Sequence, residues 1–234
     1  MAVDAMALNP RDFSAAIVDL DGTLVDTLDD FVLALQRMLA DLPPPFATYV
    51  VRREVVGQLV GKGSENLIHS LLARIEPAAA TNEPLFAQAL QGYQRHYGAI
   101  NGQHARVYDG AVQGLRQLQS FGLKLACVTN KPTAFARELL CRMGLDGFFA
   151  LTLGGDAVER KKPDPLPLLK ACELLGSVPS QTLMVGDSSN DAQAARAAGC
   201  PVLLVSYGYN HGKPVRAVDA DAFTDSLADI PWGR

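Results

Sequence analysis

The sequence predicts an α/β fold: a doubly wound, Rossmann-like parallel sheet as the core, with an α-helical cap domain inserted after the first strand. Three observations carry this prediction. Short apolar runs alternate with helical stretches along most of the 234 residues, the rhythm of a doubly wound sheet. The runs are almost continuously apolar, as strands buried on both faces of a parallel sheet are. One interval, 27–103, breaks the rhythm with helical periodicity and almost no strand signal. The core is therefore expected over 1–26 and 104–234, and the cap over 27–103.

The first strand is read at Ala15–Leu20, and its end carries Asp19-Leu20-Asp21-Gly22-Thr23. Side chains alternate along an extended chain, so Asp19 and Asp21 share a side. Acids at a strand end inside a core are disfavoured unless paired, hydrogen-bonded or bound to a metal. In the insert, Leu28, Val32, Leu35 and Leu39 form one helical stripe. Leu67, Ile68, Leu71, Leu72 and Ile75 form a second, and Leu85 to Tyr97 a third, punctuated by Leu42-Pro43-Pro44-Pro45 and Glu76-Pro77. An insert leaving the sheet here covers its carboxyl edge, where open α/β sheets bind ligands. Further on, Asp109 is placed to cap a helix carrying Val112, Leu115 and Leu118 that stops at Gly122. Strand Leu123–Val128, a helix with Phe135, Leu139 and Leu140 ending at Gly144, and strand Phe149–Leu153 follow. Strand Thr182–Val185, helix Ala192–Ala198 ending at Gly199, and strand Pro201–Val205 complete the pattern. Glycine just past a helix supplies the left-handed cap conformation.

Composition narrows the function. The chain is 48% hydrophobic and 20% charged, with a net charge of −4, which suits one good-sized core plus an insert. No basic block suits nucleic acid or an anionic membrane. The apolar runs are too short to span a bilayer, and Met1-Ala2-Val3-Asp4-Ala5-Met6 lacks the basic and apolar regions of a secretory signal. Cys127, Cys141, Cys172 and Cys200 are widely spaced and form no C-x-x-C pair, so neither zinc nor redox chemistry is indicated. A reducing, cytoplasmic setting is expected, with the chain a monomer or homodimer.

Polar residues recur at the other strand ends: Thr129-Asn130-Lys131, then Lys161-Lys162-Pro163-Asp164, then Gly186-Asp187-Ser188-Ser189-Asn190-Asp191. In a parallel sheet these ends meet at one edge. Carboxylates crowded there need neutralising, and Mg²⁺ suits an oxygen-only set better than zinc does. Lys162 and the Thr129 hydroxyl suit the remaining oxygens of a phosphoryl group, whose transfer rests on positioning and charge neutralisation. Taken alone, Thr129-Asn130 also fits turn chemistry, Lys162 a solvated loop lysine, and Asp187 and Asp191 helix caps.

Asp19-Leu20-Asp21-Gly22-Thr23, Thr129-Asn130, Lys162-Pro163 and Gly186-Asp187-Ser188-Ser189-Asn190-Asp191 together resemble, in order, the four motifs of the haloacid dehalogenase-like superfamily. A closer resemblance, to bacterial phosphoglycolate phosphatases, rests on Val60-Gly61-Lys62-Gly63, Cys127-Val128-Thr129-Asn130-Lys131-Pro132 and Tyr207-Gly208-Tyr209-Asn210-His211-Gly212. The resemblance implies an Mg²⁺-dependent hydrolysis of 2-phosphoglycolate, a small phosphorylated metabolite, through an aspartyl-phosphate. Asp19 would be the nucleophile and Asp21 the acid and then base. Asp19, the Asp21 carbonyl and Asp187 would hold the metal, with Asp191 orienting a water or Lys162 from behind them. Thr129 and the Asn130 amide would hold phosphoryl oxygens. Lys62, between two glycines of the insert, would meet the substrate's second anion or else be a solvated hinge residue. The alternatives are a related phosphatase or phosphosugar mutase acting on another small phosphorylated substrate.

Overall fold

Eight strands are formed among residues 8–233, the residues that the computed structural model describes. They are β1 (Ala15–Val18), β2 (Val25–Asp26), β3 (Arg106–Val107), β4 (Lys124–Val128), β5 (Leu151–Leu153), β6 (Thr182–Gly186), β7 (Val202–Val205) and β8 (Ala222–Thr224). The Met1–Met6 segment considered above lies outside the described residues. β2 and β3 form a small antiparallel pair, and the other six form one sheet in the order β5-β4-β1-β6-β7-β8. Every pairing in that sheet is parallel. The chain lays down β1, β4 and β5 outward in one direction, then returns to β6, β7 and β8 on the other side of β1. Such sheets bind ligands where the strand order reverses, here between β1 and β6.

Both faces of the sheet are buried, which is why its strands read as continuous apolar runs. Ala16 and Val18 of β1 pack with Leu125, Cys127, Leu183, Val185, Leu203 and Val205 on one face. Helices α5 (Ala111–Ser120) and α6 (Thr133–Arg142) cover that face through Leu115, Leu118, Leu139 and Leu140. Ala15 and Ile17 belong to the other face, with Ala126, Val128, Met184, Val202 and Leu204. There α7 (Leu166–Leu175) and α8 (Ser189–Ala198) supply Leu168, Ala171, Cys172, Ala194 and Ala195.

The interval after β2 is helical throughout, with α1 (Leu28–Ala40), α2 (Arg53–Leu59), α3 (Ser64–Ile75) and α4 (Glu83–Ile100). These helices bury their own cluster, including Phe31, Leu35, Met38, Leu67, Ile68, Leu71, Tyr93 and Tyr97, which Tyr209 joins and Phe135 packs against from the later chain. The three stripes read from sequence are the inward faces of α1, α3 and α4. Among the described residues, no helix is long and apolar enough to cross a membrane.

The structure adds and corrects elements. Helix α7 escapes a periodicity search because Pro165 and Pro167 flank its start, yet Pro165 is the residue before the helix and Pro167 lies in its first turn, where proline costs no hydrogen bond. Strand β8 is a three-residue edge strand, and α2 has only seven residues around Gly57. Asp109 is not the cap of α5: the residue before that helix is Gly110, in the left-handed region at φ 84°. A Cβ there would lie 2.3 Å from Ser226 Oγ, so glycine meets both a backbone and a packing requirement. Helix α8 begins three residues earlier than read, at Ser189, because Ser188 and Asp191 form a capping box.

Candidate active site

Asp19 stands one residue beyond β1 and Asp187 one residue beyond β6, the two strands that flank the reversal of strand order. The Asp19 N–H donates to Val185 O at 2.9 Å, extending the β1–β6 pairing to the first acid. The chain then turns through Gly22 at φ 85°. The turn is closed by Val25 N–H to Leu20 O at 3.1 Å and Gly22 N–H to Val25 O at 2.9 Å. A Cβ on Gly22 would lie 2.2 Å from Asp187 Oδ2, and one on Gly208 would lie 2.2 Å from Asp187 Cβ. Both glycines are required by close approach to the Asp187 carboxylate.

One oxygen each from Asp19, Asp187 and Asp191 lies within 4.8 Å of the others. Lys162 Nζ reaches Asp19 Oδ1 at 2.9 Å and Asp191 Oδ1 at 2.7 Å, and donates to Val128 O at 2.8 Å. Asp191 Oδ2 accepts from Ser188 N–H at 3.1 Å and Ser188 Oγ at 2.8 Å. Asp191 thus braces Lys162 and the start of α8 together. Asp187 accepts from Thr23 Oγ1 at 3.1 Å and from Tyr209 N–H at 2.5 Å.

Burial raises the Asp19 carboxyl from 3.8 to about 7, with Asp191 adding to the rise and Lys162 opposing it. Burial, then Asp191 and Asp19, push Asp187 well above its ordinary value. Burial alone would lower the Lys162 ammonium, but Asp19 and Asp191 outweigh it and hold it above its ordinary value. The site therefore has too little positive charge for its carboxylates. The residues fit a hard divalent cation: the donors are all oxygens, and Asp19 Oδ1, although close to Lys162, is buried with no aligned hydrogen bond. Asp19 and Asp187 would hold such an ion, because Asp191 is committed to Ser188 and Lys162.

Asp19 and Asp21 open into one cavity with Thr129, Asn130 and Lys131. Its roof comes from the insert: Phe31, Val60, Gly61, Gly63, Ser64, Leu67, Tyr93 and Tyr97. Asp21 Oδ1 accepts from Thr27 Oγ1 at 2.7 Å and from Lys131 Nζ at 2.8 Å. The Thr129 hydroxyl accepts from Lys131 N–H at 3.2 Å. The Asn130 side-chain amide donates to Gly61 O at 2.9 Å and Lys162 O at 2.8 Å, and its carbonyl accepts from Lys162 N–H at 3.0 Å. Asn130 thus ties the insert's glycine loop to the lysine loop through its side chain.

Of the residues singled out in sequence, Asp19, Asp21, Thr129, Asn130, Lys162, Asp187 and Asp191 gather at this edge. Lys62 does not join them: it is exposed and lines an outer groove with Glu65, Lys161 and Asp164, while its glycine neighbours face the cavity. Sequence reasoning gave no role to Lys131, which is only 5% exposed. Its ammonium binds Asp21 and Tyr97 Oη, the latter at 2.8 Å, and lies 4.6 Å from the Phe31 ring centroid. It also gave none to Tyr209, whose hydroxyl donates to Asp26 Oδ1 at 2.6 Å and accepts from Thr27 N–H at 3.0 Å. The available signal was charge or polarity inside apolar context: Lys131 adjoins a buried strand, and Tyr209 sits in a Gly- and Asn-rich tract.

A doubly wound sheet with buried acids and a lysine at its order reversal, under a helical roof, defines an α/β protein with a covered carboxylate centre. The chain belongs to the haloacid dehalogenase-like hydrolase family, whose sequence model matches residues 16–205. It is 45% identical to the phosphoglycolate phosphatase of Thiobacillus denitrificans over 94% of this chain and 95% of that one. It is 42% identical to a plasmid-borne phosphoglycolate phosphatase of Cupriavidus necator over 93% and 91%. A crystal structure of a predicted phosphoglycolate phosphatase from Haemophilus somnus superposes with a TM-score of 0.87 at 33% identity, covering 94% and 96%. Within the family, this chain sits with the phosphatases.

Proposed function

We propose that this protein is an Mg²⁺-dependent phosphatase that hydrolyses 2-phosphoglycolate to glycolate and phosphate through an aspartyl-phosphate on Asp19. The observation that carries the reading is the convergence of Asp19, Asp187, Asp191 and Lys162 at the β1/β6 crevice. The substrate comes from the relatives' names. Asp19 attacks phosphorus, and Asp21, whose carboxyl shares the cavity, protonates the leaving alkoxide and later takes a proton from the attacking water. Lys162 neutralises the nucleophile's surroundings and Asp191 fixes Lys162. The Thr129 hydroxyl and the Asn130 main-chain N–H offer hydrogen bonds to phosphoryl oxygens. A bound Mg²⁺ would supply charge neutralisation for the phosphoryl group, and the carboxylates of Asp19 and Asp187 with the main-chain carbonyl of Asp21 would hold it.

Phosphate release from a panel of small phosphomonoesters, with Mg²⁺ and with EDTA, tests the reading. Mg²⁺-dependent turnover favouring 2-phosphoglycolate is expected, and Asp19→Asn should abolish it in a folded protein. A phosphoglycolate rate no better than that of a generic ester, or substantial turnover by Asp19→Asn, overturns it.

A further inference from the structure

The roof of the cavity holds a polar group that the chemistry just described does not use. Tyr93 is fully buried at 0% exposure, lines the cavity, and its hydroxyl, with the Ser64 side chain beside it, has no aligned hydrogen-bond partner among the described residues. Native proteins rarely leave a buried hydroxyl unpaired. Tyr93 stacks on Tyr97, with centroids 5.4 Å apart and planes 13° from parallel, and Tyr97 Oη accepts from Lys131 Nζ at 2.8 Å. An ammonium has three donors. The Lys131 bonds to Tyr97 and Asp21 use two of them, leaving one for a ligand in the cavity that Lys131 lines.

A third source of donors meets the same space. Helix α3 starts at Ser64, and the residue before it, Gly63, provides no side-chain cap. Gly63 and Ser64 both line the cavity, so the helix presents its uncapped amide end there, and such ends favour anions. The Ser64 hydroxyl is a further donor beside Tyr93. Lys62, by contrast, lines only the outer groove.

We infer that the Tyr93 hydroxyl, the Lys131 ammonium and the α3 start at Ser64 form the subsite for the substrate's carboxylate, opposite Asp19. This rests on the proposed phosphoglycolate reading and names what selects that ester. The occupant is a compact anion: the donors are a neutral hydroxyl, a single ammonium position and helix amides, enclosed by Phe31, Leu67 and Tyr97.

The test compares kcat/KM for 2-phosphoglycolate and for ethyl phosphate, which lacks the carboxylate, in wild type, Tyr93→Phe and Ser64→Ala with Mg²⁺ present. Removing one hydrogen bond to a carboxylate should lower the phosphoglycolate-to-ethyl-phosphate ratio about tenfold, mainly through KM. A defect that only disturbs the fold moves both esters together and leaves the ratio unchanged. A wild type that prefers phosphoglycolate, with both variants keeping that preference, overturns the subsite alone. A wild type without preference overturns the substrate reading, and the subsite with it.

Discussion

Replacing Asp30 with alanine should cost about 2–4 kcal/mol of stability, because two backbone N–H groups lose their acceptor. Asp30 lies in the first turn of α1 at 0% exposure. Its Oδ2 accepts from Gly102 N–H at 2.7 Å and its Oδ1 from His104 N–H at 2.9 Å. It thereby fastens the start of the helical insert to the segment by which the chain leaves it. Alanine orphans both donors, at about 1–3 kcal/mol each. Part of that is offset, because burial holds the Asp30 carboxyl above 3.8 despite its two donors, and the variant no longer buries a charge. Urea unfolding followed by circular dichroism measures the sum, and amide hydrogen exchange locates it. Exchange at Gly102 and His104 should rise more than elsewhere. A loss below about 1 kcal/mol, or unchanged exchange at those two amides, refutes the role assigned to Asp30.

Tyr209→Phe removes the donor to Asp26 and the acceptor of Thr27 N–H, and should cost about 1–2 kcal/mol in chemical unfolding. Burial would raise Asp26, but Tyr209, the Leu28 N–H and Arg53 together hold it below 3.8. Its contribution is therefore present above pH 3.8 and lost as pH falls through the lower folded value, so Asp26→Asn should flatten the acid limb of stability against pH. Asp187 has the opposite sign. Its folded value is raised by burial and by Asp191 and Asp19, so its charge destabilises the metal-free protein increasingly as pH rises above 3.8. Asp187→Asn should melt higher than wild type in EDTA at neutral pH and show no Mg²⁺ response; a lower melting temperature would count against the site's excess negative charge. Gly208→Ala should displace Asp187, since its Cβ would sit 2.3 Å from Asp187 Oδ2. Weakened Mg²⁺ stabilisation in thermal melts, with far-ultraviolet dichroism unchanged, is the expected result.

The sheet and its acids were legible in sequence because both follow local rules. A strand buried on both faces is continuously apolar, and an acid directly after it is conspicuous, as at Val18-Asp19 and Gly186-Asp187. The insert was legible from periodicity in α1, α3 and α4. What stayed hidden depends on tertiary contact. Lys131 reads as one more loop lysine until Phe31 and Tyr97 from the insert are laid against it. Tyr209 reads as a turn residue until its hydroxyl meets Asp26 and Thr27. Lys62, flanked by glycines, suggested a flexible arm over the site. Instead Gly61 O accepts from both Asn130 Nδ2 at 2.9 Å and Asn190 Nδ2 at 3.2 Å. Two amides from the core hold that loop by its backbone, and the adjoining side chain is left outside.

These contacts make the charge of the centre a property of the two layers together. The core supplies the carboxylates of Asp19, Asp21, Asp187 and Asp191, and two ammonium groups, those of Lys131 and Lys162. With every group charged, two negative charges remain, which is what a divalent cation would offset. Burial raises both Asp19 and Asp187, so in the cation's absence those two acids are the ones driven toward protonation. Lys162 is held entirely by core groups, whereas Lys131 bridges Asp21 of the core to Tyr97 of the insert. A displaced insert would strip Lys131 of Tyr97 and of the rings above it. The surroundings of Asp21 are thus complete only when the helical layer is in place, and that layer also carries Tyr93 and Ser64.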